Sequence, residues 1–410
     1  MNYFNPQWIF ILFQFCNNEK YYLLSYYLNT MKHKIIISVI SILALCVSCT
    51  GSKKEESAVN PKAEVIDIIK KVNGYWQSAN PEHADAFWHP AAYHTGNMAA
   101  YEVTNDEAYK IYTEAWAEKN EWKGAKSDDK ANWKYSYGET DEYVLFGDWQ
   151  TCFQVYIDLY NLDSIKNENK IARVKEVMEY QMSTPKNDYW WWADGLYMAM
   201  PVMTKMYKIT GNQQYLDKLY EYFTYAKDLM YDSESKLFYR DAKYIYPKHK
   251  TNKGLKDFWA RGNGWVFAGL AKVLQDLPES DAHRTEYIQM YQDMAESLAG
   301  SQQAEGFWTR SILDPEQAPG YETSGTAFFT YGYLWGLNNN LLDEAAYKPI
   351  IDKSWKYLTE IALQPDGKIG YVQPIGERAD QHKNVGPDTT ADFGVGAFLL
   401  AASEMAKYIK

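Results

Sequence analysis

The sequence predicts an all-helical (α/α)6 toroid, with six helical hairpins arranged around a common axis and short β-hairpin loops at one end. Three observations carry this expectation. From Glu64 onward, apolar and aromatic residues recur at spacings of three and four, the period of amphipathic helices. Polar-start helices recur about every 55 to 75 residues, the period of a helical-hairpin repeat with loop insertions. Between them lie apolar segments rich in small residues. An open solenoid of helical pairs is the architectural alternative.

Taken in order, residues 1–48 stand apart from the fold. Met31-Lys32-His33-Lys34 followed by the apolar run Ile35 to Leu45 reads as an export signal with a basic head. The run is too short to span a bilayer permanently. It ends in CVSC, so Cys49 is the expected lipidation site of an exported bacterial lipoprotein, periplasmic or displayed at the cell surface, with residues 49–63 as a tether. Cys46 departs from the usual lipidation pattern, and plain secretion is the alternative. Met31 reads as the true start, which leaves residues 1–30 as an upstream extension. No disulfide framework is available, because beyond the leader only Cys49 and Cys152 remain.

Residues 64–410 read as one catalytic-sized domain. The outer helices are expected in NDEAYKIYTEAW (105–116), GNQQYLDKLYEYF (211–223), AHRTEYIQMYQDM (282–294) and EAAYKPIIDKSWKYL (344–358). Segments 232–242, 303–312 and 364–374 each combine a polar turn with an aromatic-rich stretch and predict short β-hairpins. Inner helices are expected in GNGWVFAGLAKVL, SGTAFFTYGYLWGL and ADFGVGAFLLAASEM, whose small residues permit close helix contact.

Composition narrows the ligand. The net charge of −11, which becomes −13 once residues 1–48 (Lys20, Lys32 and Lys34 against Glu19) are removed, argues against nucleic-acid binding. Fifteen Trp and 36 Tyr point to carbohydrate, since indole and phenol faces stack on sugar rings while their N–H and O–H groups bond hydroxyls. An aromatic-rich helical core accounts for the same composition equally well. The seven histidines show no metal-ligand spacing, and the sequence calls for neither a metal nor a cofactor.

Four segments fall where inner helices should begin, at the cleft end: FGDWQTC with Asp148, WWWADGLYM with Asp194, FWARGNGW with Trp259, Arg261 and Trp265, and YETSGTAFF with Glu322, Ser324 and Thr326. Helix starts present unpaired N–H groups to anionic ligand groups, and Gly262 in R-G-N-G would permit close backbone approach. Each acid is equally a potential helix cap, and Arg261 a potential core ion-pair partner. An acid beside Trp190, Trp191 and Trp192 should be desolvated and hold its proton more tightly than an exposed one.

Together these segments resemble the unsaturated glucuronyl and rhamnogalacturonyl hydrolases of glycoside hydrolase family 105 and its relative family 88, over nearly all of Glu64 to Lys410. The W-A-R-G-N-G-W stretch and the W-x-D-x-x-Y-M stretch carry the resemblance most specifically. It implies the (α/α)6 fold and an exo-acting reaction on oligosaccharides bearing a terminal Δ4,5-unsaturated uronic acid, the product of a polysaccharide lyase. In that reaction C4 is protonated, water adds at C5, and the resulting hemiketal rearranges to release the next sugar. By resemblance Asp194 is the general acid/base and Asp148 the second carboxylate. It also implies substrate contacts for Arg261 and Trp265 and a pocket-lining place for Met198; Trp259, Gly262, Trp192 and Arg240 complete the candidate substrate site. Two histidines of the family pattern are absent: residues 183–189 read STPKNDY, and Arg240 stands in place of the second. Arg240 could bind a carboxylate or sulfate bidentately, or pair with Asp241. The membrane is expected to matter only through the lipid anchor. A conventional (α/α)6 glycosidase acting on saturated glycans and a non-catalytic glycan-binding lipoprotein are the rival readings.

Overall fold

The computed structural model describes residues 60–382 and 384–409. The expected leader, the lipidation site Cys49 and most of the tether lie outside these residues. The first helix, α1 (Pro61–Ala79), begins ahead of the expected domain start at residue 64. Asn60 caps it by accepting from the Lys62 N–H at 3.0 Å, and Pro61 occupies a first-turn position where its missing N–H costs nothing.

The chain then alternates inner and outer helices. The inner elements are α2 (Trp88–Thr104), α4 (Thr151–Leu162), the broken pair α6 (Ala193–Met198) and α7 (Met200–Thr210), α9 (Ala260–Asp276), α11 (Thr323–Asn338) and α13 (Asp392–Tyr408). The outer ones are α1, α3 (Glu107–Lys119), α5 (Asn169–Ser183), α8 (Gln214–Met230), α10 (Arg284–Ala299) and α12 (Glu344–Tyr357). Each inner element packs on the next around the ring, and α13 packs on α2. That last contact closes the toroid and excludes the open solenoid.

Closure depends on the smallest side chains. A Cβ on Gly96 of α2 would lie 2.2 Å from the Gly396 carbonyl oxygen of α13, and one on Gly396 would lie 2.3 Å from the Ala92 oxygen. The two backbones therefore meet where no larger residue fits. Besides α1, two outer helices start with side-chain caps: for α3, Asp106 accepts from Ala108 N–H at 3.1 Å, and for α12, Asp343 from Ala345 N–H at 3.2 Å.

The break between α6 and α7 follows from Pro201. The carbonyl of Tyr197 would receive its helical bond from residue 201, which has no N–H. Gln154 of α4 supplies the missing donor, its Nε2 lying 2.8 Å from the Tyr197 oxygen and 3.2 Å from the Met198 oxygen. The short helix carrying Asp194 is thus tied to the neighbouring inner helix.

Of the three expected β-hairpins, one forms a ladder: β1 (Tyr231–Asp232) pairs antiparallel with β2 (Leu237–Phe238). The 364–374 segment closes with a single bridge between Leu363 and Ile369. The 303–312 segment pairs mainly with a different loop. Arg310 O accepts from Ala260 N–H and Phe258 O from Ile312 N–H, so its extended residues join the strand-like lead into α9. A turn-plus-aromatic pattern specifies an extended stretch but not its partner.

Candidate active site

The N-terminal ends of α2, α4, α6 and α9 line a cavity of about 540 Å3, within the range that small-molecule sites occupy, roughly 300–1,000 Å3. Its lining includes Trp88, His89, Asp148, Trp191, Trp192, Asp194, Met198, Arg240, Trp259 and Glu377.

Asp148 sits in the single 3-10 turn Gly147–Trp149 that leads into α4, and Asp194 is the second residue of α6. Both are buried, at 7% and 8% exposure. The Trp192 ring is wedged between them. A Cβ on Gly147 would lie 3.1 Å from it and one on Gly195 3.2 Å, so the glycines beside the two acids make room for this indole. Trp191 stands next to Trp192 at 4.7 Å between ring centroids and also faces the cavity. Trp190 turns away to pack edge-on against Tyr222. Two of the three consecutive indoles therefore wall the acids and the third belongs to the core.

The electrostatics of the pair are unequal. Burial raises the Asp194 pKa above the ordinary carboxylate value, against the opposing pull of the Arg240 and Arg261 guanidinium groups. Asp148 is raised further, by burial first and then by the charge of Asp194. Like-charge repulsion within the pair thus bears most on Asp148, because Asp194 has the cationic neighbours.

Arg240 reaches the site through backbone pairing. Ala193 N–H donates to the Arg240 carbonyl at 2.8 Å, and Trp192 bridges Asp241, which sets the Arg240 side chain beside Asp194. Its Nε lies 3.3 Å from Asp194 Oδ2, its Nη1 donates to Asp241 at 2.6 Å, and Glu377 is 3.7 Å away. It both pairs with Asp241 and lines the cavity. Asp194 Oδ2 has no hydrogen-bond partner among the described residues, so its ion contact with Arg240 lacks hydrogen-bond alignment. Met198 lines the cavity and accepts from the Thr151 hydroxyl through Sδ at 2.9 Å.

The R-G-N-G segment is placed differently from expectation. Arg261 is 1% exposed and lies behind the cavity wall, between the rings of Trp259 and Phe393 at 4.6 and 4.7 Å. Its Nη groups donate to the carbonyls of Gln373 and Pro374, at 2.5 and 2.8 Å. Trp265 is fully buried among Trp88, Tyr197 and Phe328 in the barrel core. A Cβ on Gly262 would meet the Trp259 ring at 3.1 Å, so this glycine seats an indole and does not open backbone to a ligand. Of this motif only Trp259 lines the cavity, with Nε1 donating to Gln373 at 2.9 Å. Arg261 and Trp259 together hold residues 373–374, from which the strap Ile375–Gln381 continues over one side of the cavity. Glu377 on that strap pairs with Lys243 at 2.8 Å. Glu322 is the cap of α11, accepting from Ser324 N–H and Gly325 N–H at 2.9 and 2.7 Å.

Sequence reasoning placed the last inner helix but singled out no site residue at the start of either the first or the last. Trp88 and His89 open α2 and line the cavity, and Asp392 opens α13 with its Oδ2 2.6 Å from His89 Nδ1. The motif FWHP shares the aromatic-then-polar start of FGDW, WWAD and FWAR and carried the available signal.

A family model described as Glycosyl Hydrolase Family 88 matches residues 62–409. An unsaturated 3S-rhamnoglycuronyl hydrolase of Formosa agariphila is 34% identical over 390 residues, covering 90% of this chain and 98% of that protein. A solved family 88 glycosyl hydrolase from Bacteroides vulgatus is 56% identical, with TM-score 0.83, over 85% of this chain and 99% of that one. A structure described as a polysaccharide lyase is 66% identical, with TM-score 0.83, over 85% of this chain and 98% of its own. Family 105 structures share the six-hairpin fold at 18–21% identity, which shows the fold alone. The chain is a glycoside hydrolase and belongs to glycosyl hydrolase family 88.

Proposed function

We propose that the protein removes a terminal Δ4,5-unsaturated uronic acid from lyase-generated oligosaccharides by hydrating its C4=C5 double bond. The observation that carries this reading is Asp194, a buried carboxyl at the cavity floor whose pKa stays raised even with Arg240 3.3 Å away. A carboxyl that keeps its proton toward neutral pH can deliver it to C4 of an enol ether. Asp148 orients and stabilises the reacting ring, and water then adds at C5. The hemiketal so formed opens and expels the next sugar. Trp191, Trp192 and Trp259 offer faces for the sugar rings, and Arg240 offers charge to an anionic substituent.

The names of the relatives support the substrate class, since the Formosa protein is an unsaturated 3S-rhamnoglycuronyl hydrolase. The W-x-D-x-x-Y-M and R-G-N-G-W motifs fit family 105 as well as family 88. The leader and Cys49 would export the enzyme and anchor it by lipid, which mass analysis of the mature N-terminus tests.

The test mixes protein starting at residue 50 with lyase digests of pectin, rhamnogalacturonan, arabinogalactan glucuronides and ulvan, and follows the ultraviolet absorbance of the conjugated enoate. The expected result is a fall with wild type and none with Asp194→Asn. A rise on an undigested glycan would mean that the protein makes double bonds instead, as a lyase does. Cleavage of saturated glycans with no change in absorbance would give the case to a conventional glycosidase.

A further inference from the structure

The cavity contains more acid than a uronic acid substrate tolerates by itself. Glu139, Asp148, Asp194 and Glu377 line it; of its cations, Arg240 shares its charge among Asp194, Asp241 and Glu377, and Lys243 pairs with Glu377. An anionic sugar entering this field needs a further cation besides Arg240 to offset the four carboxylates. His89 is placed to be that cation.

His89 is the second residue of α2, and Asp392 is the first residue of α13, the helix that closes the ring on α2. Its Nδ1 lies 2.6 Å from Asp392 Oδ2, while the other oxygen of Asp392 accepts from the Phe393 N–H at 2.9 Å. The carboxylate is therefore fixed, and by accepting from Nδ1–H it holds the proton on Nδ1 and orients the ring. Trp88 and Phe87 meet the imidazole edge-on, at 5.4 and 6.2 Å between centroids, and lock its orientation. Among the described residues Nε2 has no hydrogen-bond partner, and the side chain is 31% exposed at the cavity wall. Burial favours the neutral ring, but the hydrogen bond to Asp392 and the charges of Asp392, Asp85 and Glu139 outweigh it, so the imidazolium persists to higher pH than a free histidine.

We propose that His89, oriented by Asp392, binds the carboxylate of the unsaturated uronic acid through Nε2–H. This inference rests on the proposed function and extends it with a residue that neither the sequence motifs nor the family resemblance assigned. His89 is the substrate-binding residue of the pair. Asp392 acts through it, as a positioning residue.

The experiment measures binding of an unsaturated uronyl disaccharide and of its methyl ester to Asp194→Asn by calorimetry, with and without His89→Gln, at several pH values. Asp194→Asn alone is expected to bind the acid more tightly than the ester by about 10- to 100-fold, the worth of one charged hydrogen bond. Adding His89→Gln should abolish that preference while leaving ester affinity nearly unchanged. Acid affinity in Asp194→Asn should fall as pH rises through the His89 pKa, and Asp392→Asn should move that fall to lower pH. A merely structural role would weaken acid and ester alike, and that result would overturn the inference. So would an acid preference that survives His89→Gln, or failure of either compound to bind. Turnover by wild type with no effect of His89→Gln on KM would refute this inference and leave the proposed function standing. Absence of turnover together with a His89-dependent acid preference would do the reverse.

Discussion

Removing the Arg240 charge should raise the pH at which the enzyme loses activity. Arg240 Nε is 3.3 Å from Asp194 Oδ2, and both side chains are largely buried, at 14% and 12% exposure. Two unit charges at this separation interact by about 5 kcal/mol at an effective dielectric of 20. That would correspond to about 3.7 pKa units if Arg240 served Asp194 alone. It does not, since it also faces Asp241 at 2.6 Å and Glu377 at 3.7 Å, so about one to two units is the expected effect, at the lower end of what an adjacent arginine does to an aspartate. Arg240 favours the charged carboxylate, so Arg240→Gln raises the Asp194 pKa. An acid that must donate its proton is active below its pKa. The basic limb of the kcat–pH profile should therefore move up by about one to two units in the variant, with kcat itself lowered if Arg240 also touches substrate. Because Asp148 and Asp194 interact, the limb belongs to the pair. Full pH profiles of kcat for wild type and Arg240→Gln on one lyase product are the assay. A limb that stays in place, or moves down, would refute the assignment of Asp194 as proton donor under Arg240 control.

Other consequences concern stability and the cavity wall. The Asp148 pKa is raised on folding, so the native state binds the proton more tightly than the unfolded chain, and Asp148 costs stability as pH rises above its unfolded value of 3.8. Asp148→Asn should therefore be more stable than wild type near neutral pH, by about 1.4 kcal/mol for each pKa unit of elevation, with the advantage vanishing toward pH 3 and activity lost; urea denaturation across pH checks this. Gly396→Ala places a Cβ 2.3 Å from the Ala92 oxygen at the closing contact of the ring, and should cost about 3 kcal/mol in the same assay, at the upper end of typical overpacking. Arg261→Met releases the carbonyls of Gln373 and Pro374 and with them the strap that carries Glu377. It should raise KM roughly 10-fold, the scale of one charged hydrogen bond, with a smaller change in kcat.

The repeat of inner and outer helices was legible because helical periodicity and polar caps are local signals, and 105–116, 211–223, 282–294 and 344–358 fall in α3, α8, α10 and α12. Asp148 and Asp194 were legible as candidates because each follows aromatic residues at an inner-helix start, and both line one cavity. What failed was direction. W-A-R-G-N-G-W reads as a ligand loop, yet Trp259, the extended residue that caps α9, lines the cavity while Arg261 and Trp265, inside the helix, are buried behind it. Two of the three tryptophans before Asp194 face the acids, and nothing local says which. His89 and Asp392 are 303 residues apart, and their pairing depends on ring closure, which a single sequence does not encode in any short window. The strap residue Glu377 has no motif at all. Its role follows from where Arg261 and Trp259 hold the chain.

The central claim is that water adds at C5 after protonation of C4 by Asp194, with no displacement at C1. Its most direct test is turnover in dilute methanol with mass and NMR analysis of the trapped product. The account predicts a product that carries methoxy at C5, has lost the double bond and still bears the next sugar, formed by wild type and not by Asp194→Asn. A methyl glycoside at C1 that keeps the double bond and has lost the next sugar would contradict it.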